Sequence, residues 1–207
     1  MNDEYSNKLD NFVMTEVKKI FNPVILEFGV RHGFSTKKFI EICEKNDGNL
    51  FSVDIDDCSQ ISNNNRWKFI QSRDDNFDLL EKEIPNSFDV IMIDSFHNAK
   101  HVKKIIFYYY QKLKVGGQMF IDDVCWIPYV ENNYRNHFNS EMNNRETFKM
   151  INEVILSNQE NLNVYFSFVG SGMAKIIKLN EKKLIEPKNI KSRELSLKNS
   201  LRKLLNR

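Results

Sequence analysis

Three carboxylates stand at the ends of apolar runs in this 207-residue chain. Asp94 closes FDVIMID, and Asp122 and Asp123 close QMFIDD; His97 follows Asp94 by three residues. Carboxylates brought to one place repel and raise one another's pKa. A bound cation relieves that repulsion, and carboxylate oxygens with water are what Mg²⁺ prefers. Coordination to such an ion lowers the pKa of a hydroxyl, and an imidazole ordinarily exchanges protons near neutrality. The set therefore suits chemistry that begins by taking a proton from a hydroxyl. His97 and His101 are four apart, a spacing that can bind zinc on a helix. The H-E-x-x-H pattern needs Glu where Asn98 stands, so zinc is not expected.

A second cluster lies at residues 24–36, VILEFGVRHGFST. The chain has only seven glycines, and two of them, Gly29 and Gly33, fall directly after this apolar run. Glycine lets a ligand approach the backbone because no Cβ blocks it. The dinucleotide fingerprint G-x-G-x-x-G fails, since Arg31 and Phe34 occupy its other two glycine positions, and no Gly-Lys-Ser/Thr phosphate loop follows Gly33. Asp54 ends the run LFSVD. A carboxylate there can accept from both vicinal hydroxyls of a ribose, each hydrogen bond to a charged group contributing about 1.5–3 kcal/mol.

These residues need a scaffold that alternates strands and helices. Apolar residues Leu9, Phe12, Val13, Val17 and Ile20 recur at helical spacing, and Asn22-Pro23 ends that helix. Strands are expected at Val24–Phe28, Asn49–Ile55, Trp67–Gln71, Phe88–Ile93 and Gln118–Ile121. Helices are expected at Thr36–Asn46, Phe77–Ile84 and Ala99–Lys114, with Gly116-Gly117 as the stop of the last. Near-continuous apolar strands belong to parallel sheets covered on both faces. The alternation predicts a doubly wound α/β fold, whose ligands bind outside the carboxyl ends of the strands. Asn163–Val169 and Met173–Leu179, split by Gly170-Ser171-Gly172, read as a terminal antiparallel hairpin.

The spacing E-x-G-x-x-x-G of Glu27, Gly29 and Gly33 resembles motif I of the class I S-adenosylmethionine-dependent methyltransferases. The stretches IDSFHNAKHV and KLKVGGQMFIDDV are similar to the small metal-dependent O-methyltransferases, the catechol-type and the sugar- and antibiotic-tailoring branch. The resemblance covers roughly residues 3–180. It implies a Rossmann-like, mostly parallel seven-stranded sheet whose last strand is reversed. It implies S-adenosyl-L-methionine as cofactor, held by Glu27, Gly29, Gly33, Ser35, Asp54, Asp94 and the adenine-side corner Ser72, Arg73 and Asp74. It also implies Mg²⁺ on Asp94, Asp122 and Asp123, with His97 and Asp94 as the catalytic pair. Ser95 stands where that family often has Gly, and Phe96 where an acid is common, so the metal and base geometry departs from the pattern.

The expected activity is Mg²⁺-assisted methylation of a hydroxyl on a small molecule, a sugar or a phenol. A nucleotide-binding module without catalysis, or another reaction on the same cofactor fold, is the alternative. DSFH stands where enzymes that methylate the amino groups of nucleic-acid bases carry an Asn-Pro-Pro-Tyr-like tetrad, and a mildly acidic body with a basic tail is no footprint of a dedicated nucleic-acid binder. Residues 188–207 carry seven basic residues against Glu194, a net +6, which leaves −4 on the remaining 187 residues. Residues 1–187 read as one domain. Within it, 125–147 form an aromatic insertion whose Trp126, Tyr129, Tyr134, His137 and Phe138 suit a substrate lid. Residues 188–207 read as a basic amphipathic helix packed on the domain's own surface, with docking on a second subunit of a homo-oligomer or contact with an anionic membrane as the alternatives. Three widely spaced cysteines and a polar N-terminus fit a reducing, cytoplasmic protein, and no apolar run reaches membrane-span length.

Overall fold

The computed structural model describes residues 3–125, 137–187, 193 and 196–205. Its centre is a seven-stranded sheet in the order β3-β2-β1-β4-β5-β7-β6. The strands are β1 Val24–Phe28, β2 Asn49–Asp54, β3 Trp67–Gln71, β4 Phe88–Ile93, β5 Leu113–Asp122, β6 Leu162–Ser167 and β7 Met173–Lys178. Strands β1 to β5 pair in parallel, and β7 runs antiparallel to both β5 and β6. The doubly wound sheet and its reversed end are thus as expected. Strand order turns back between β1 and β4, the switch point where an open α/β sheet forms its ligand crevice.

Successive residues of a strand face opposite sides, and both sides are buried here. One face carries Leu26, Phe28, Ile91, Ile93 and Ile121 under α4 (Phe77–Glu83), α5 (Ala99–Tyr110) and α6 (Phe138–Ser157). The other carries Ile25, Leu50, Val90, Met92 and Phe120 under α3 (Phe34–Asn46) and the N-terminal helical run. That run is α1 (Asp3–Lys8), a π-helical segment Leu9–Met14, then α2 (Thr15–Val17). Of the expected stripe Leu9, Val13 and Val17 are buried and Phe12 and Ile20 partly so, and Met14 joins them in the core. The widened turn shows in the Thr15 amide, which donates to the Asp10 carbonyl five residues back.

Three expectations are corrected. The helix after β4 ends at Tyr110, and residues 113–117 are the first half of β5. Leu113 pairs with Phe88 and is buried, so strand pairing overrides the helix-stop reading; the glycines sit at a register shift instead. Helix α6 occupies much of what read as an insertion. Its buried face includes Asn144 and Thr147 as well as Met150, Ile151 and Val154, so its apolar stripe begins late. Finally, α7 (Leu197–Leu205) does not pack on the domain: Leu197, Leu201, Leu204 and Leu205 are 61–85% exposed. Among the described residues no helix is long and apolar enough to cross a membrane.

Candidate active site

The loop after β1 is shaped from below. Glu27 is fully buried, and its carboxylate accepts hydrogen bonds from Ser35 Oγ (2.5 Å), Thr36 Oγ1 (2.8 Å) and Ser52 Oγ (2.7 Å). Burial raises its pKa against the pull of those three hydroxyls. Glu27 and Ser35, expected to touch the cofactor, are therefore bonded to each other beneath the loop and brace α3 against β1 and β2.

Gly29 has φ +93°, and a Cβ there would lie 2.0 Å from the Asp94 carbonyl oxygen. The ends of β1 and β4 close on each other at this point, where the Asp94 amide also donates to the Phe28 carbonyl (2.8 Å). Gly33 has φ +71° and starts α3, and a Cβ there would meet Ile61. Asp54 reaches across from β2, accepting from the amides of Val30 (2.7 Å) and Arg31 (3.0 Å) on one oxygen and Asp56 (3.1 Å) on the other. Burial pushes its pKa up, but the amides of Arg31, Val30, Asp56 and Ile55 together hold it below the usual value.

The adenine-side candidates scatter. Arg73 turns outward to Asp75 (2.9 Å), and Ser72 Oγ donates to the Arg73 carbonyl. Asp74 is buried and spent inside: Ser95 Oγ donates to it (2.5 Å), and His101 Nε2 lies 2.9 Å from both of its oxygens. His101 thus serves Asp74 and is not paired with His97, which precedes the helix. The N-cap of α5 is Asn98, whose side chain accepts from the Lys100 and His101 amides.

The acid rim is where the sheet brings expected residues together. His97 Nε2 sits 3.6 Å from Asp94 Oδ1 and 3.5 Å from Asp123 Oδ2. Asp123 reaches this position from a left-handed backbone (φ 57°), a conformation Asp tolerates better than most residues. Burial, and next the charge of Asp122, raise the pKa of Asp94 well above the carboxylate range. Its Oδ2 accepts from Tyr5 Oη (2.8 Å).

Asp122 points the other way. Its carboxylate takes the ammonium of Lys8, a fully buried side chain. Lys8 Nζ also donates to Ser171 Oγ (2.8 Å) and the Gly172 carbonyl (3.4 Å). Burial raises the pKa of Asp122 against the pull of Lys8. The expected Mg²⁺ triad is therefore not met: one of its three acids is committed to a lysine. Among the described residues no group of three or more His, Cys, Asp or Glu side chains is arranged to hold a metal ion. Tyr5 and Lys8 escaped the sequence reading because an N-terminal helix gives no sign of where its polar face will land.

Of the expected lid, Trp126, Tyr129 and Tyr134 lie outside the described residues. His137 caps α6, its Nδ1 accepting from the Ser140 amide (3.3 Å), and Phe138 is exposed.

Comparison with known proteins bears on the fold that carries these residues. Residues 26–124, from β1 to just past the acid rim, match the family model of a methyltransferase domain. A search of curated proteins found no relative. Among solved structures, the S-adenosylhomocysteine-bound methyltransferase PaMTH1 of Podospora anserina superposes with a TM-score of 0.67 at 16% identity, covering 86% of this chain and 81% of that one. The O-methyltransferase TomG of Streptomyces achromogenes, solved with S-adenosylmethionine, gives 0.60 at 14% identity over 81% and 78%. MycE, a methyltransferase of mycinamycin biosynthesis solved with Mg and S-adenosylhomocysteine, gives 0.58 at 19% identity, and this chain spans about half of it (48%). At such identities the superpositions establish the fold alone. The stretch that spans the switch point and both rim corners thus carries the methyltransferase-domain match, and the chain shares the fold of these solved methyltransferases.

Proposed function

We propose that the protein transfers the methyl group of S-adenosylmethionine to a hydroxyl of a small molecule, with His97 as general base. The observation that carries this is His97 Nε2 standing 3.5–3.6 Å from Asp123 and Asp94, at the rim next to the Gly29 turn. The donor is already activated as a sulfonium, so holding acceptor oxygen and methyl carbon in line supplies much of the rate. The remaining need is to make the hydroxyl nucleophilic.

In this reading the cofactor lies across the loop of Gly29 and Gly33, with Asp54 at its ribose. The acceptor O–H gives its proton to His97 Nε2 as the oxygen attacks the methyl carbon. The carbon–sulfur bond breaks, its electron pair stays on sulfur, and S-adenosylhomocysteine leaves. The imidazolium that forms is stabilised by the flanking Asp123 carboxylate, 3.5 Å away. The relatives solved as O-methyltransferases support the choice of oxygen. The donor set described here does not fit a divalent metal, so no step is assigned to one.

The test is transfer of labelled methyl from S-adenosylmethionine to a panel of phenols and glycosides, with His97→Gln beside the wild type. General bases contribute about 10²–10⁴-fold, so kcat should fall by that range while S-adenosylhomocysteine affinity stays unchanged. Cofactor binding without turnover on any hydroxyl would favour the non-catalytic module, and undiminished turnover in the variant would remove His97 from the mechanism.

A further inference from the structure

The buried ammonium of Lys8 occupies a cage of oxygens. A carboxylate (Asp122), a hydroxyl (Ser171) and a backbone carbonyl (Gly172) face it, and the side chain is fully buried. Those are the donor types a hard cation takes. An ammonium has three N–H groups and no acceptor, so three oxygens satisfy it.

The cage is built. Gly172 has φ +77°, and a Cβ there would lie 2.6 Å from the Cys125 backbone nitrogen, so the turn after β6 is pressed onto the end of β5. The Cys125 amide donates to the Ser171 carbonyl (2.7 Å) and holds that turn in place. One turn of helix away from Lys8, Tyr5 Oη takes the second acid, Asp94. A single helical segment thus supplies partners to two of the three rim carboxylates, while Asp123 and the Oδ1 side of Asp94 face His97.

We propose that Lys8 is the resident cation of this rim, standing in place of a divalent metal, and that methyl transfer here proceeds without one. Lys8 is a positioning residue in this scheme: it neutralises Asp122 and fixes the end of β5, from which Asp123 projects toward His97. The catalytic half of the proposal rests on the reading above, whereas the metal half does not need any substrate.

Two experiments separate them. Electron paramagnetic resonance of Mn²⁺ added to the intact protein reads metal binding directly, with no turnover involved. The free Mn²⁺ signal should be undiminished by wild-type protein. Lys8→Met, folded by circular dichroism and competent for S-adenosylhomocysteine, should gain Mn²⁺ affinity by at least about tenfold, and adding Asp122→Asn to it should abolish the gain. Lys8→Gln, which keeps a donor toward Asp122, serves if the methionine variant does not fold and should show a smaller gain. Wild-type protein that binds Mn²⁺ in an Asp122-dependent way overturns the proposal, as does a folded Lys8 variant that gains nothing. Once an acceptor is found, turnover should be unchanged by EDTA; a loss restored by Mg²⁺ overturns the catalytic half. Failure to find any acceptor counts against the hydroxyl reading and leaves the Mn²⁺ result standing by itself.

Discussion

Two of the buried carboxylates at this end of the sheet, Glu27 and Asp122, are accommodated by opposite means. Glu27, under the glycine loop, is surrounded by three neutral hydroxyls, from Ser35, Thr36 and Ser52. Asp122, at the end of β5, is met by a full positive charge on Lys8. Hydroxyls satisfy lone pairs without cancelling charge, so the first corner is a hydrogen-bonded brace. The second is an ion pair, strongly sensitive to loss of either partner because a lone buried charge remains. The glycine-loop corner is thus braced by neutral hydrogen bonds, and the corner at the end of β5 is balanced by charge.

The largest expected effect tests where the two corners touch. Gly29→Ala would place a Cβ 2.0 Å from the Asp94 carbonyl at φ +93° and should cost at least about 4 kcal/mol or prevent folding. Gly116→Ala has a similar φ, +81°, with nothing within 4 Å, and should cost only about 1–2 kcal/mol. Equal losses in urea unfolding would show that the β1–β4 closure is not tight.

Next comes the charged corner. Lys8→Met should cost about 3–5 kcal/mol by leaving Asp122 unpaired. Adding Asp122→Leu should restore most of it, a coupling that a double-mutant cycle measures. Additive losses would mean the pair contributes little.

The neutral corner should be milder. Glu27→Gln replaces one acceptor oxygen by an amide that opposes a hydroxyl, at a cost of about 1–3 kcal/mol. It should also change the pH dependence. Because burial raises the pKa of Glu27 above its ordinary 4.5, the folded state binds its proton more tightly than the unfolded chain. That stabilisation is complete below the ordinary value and is lost as pH rises through the folded one. The fall in unfolding free energy above about pH 4.5 should therefore be shallower in Glu27→Gln, and identical slopes would argue against the raised pKa.

The smallest effect belongs to neither corner. Truncation before Leu197 removes leucines that are 61–85% exposed, so the thermal midpoint should reflect a change within about 0.5 kcal/mol. A larger loss would show that α7 is held by something beyond its own domain.

Much of this fold was legible because runs such as FDVIMI and VILEF are apolar on both faces, which only a strand between two helical layers explains. The glycine loop was legible for a similar reason: two glycines after such a run mark a turn that no side chain may fill. Residues 113–117 misled, since a glycine pair after a helix stops it in most contexts, and only pairing with Phe88 made this stretch a strand. Asp74 and Asp122 were legible as strand-end acids but not by partner.

Periodicity along the chain, then, was sufficient for the layered α/β architecture, the crevice at the switch point, and the rim position of Asp54, Asp94, His97 and Asp123. Which buried carboxylate meets a hydroxyl and which an ammonium was decided only by tertiary packing. Lys8 and Asp122 are 114 residues apart, and the N-terminal helix must dock on the sheet before its polar face can reach the acid. Local sequence carries the period of an element but not the identity of what packs against its far side.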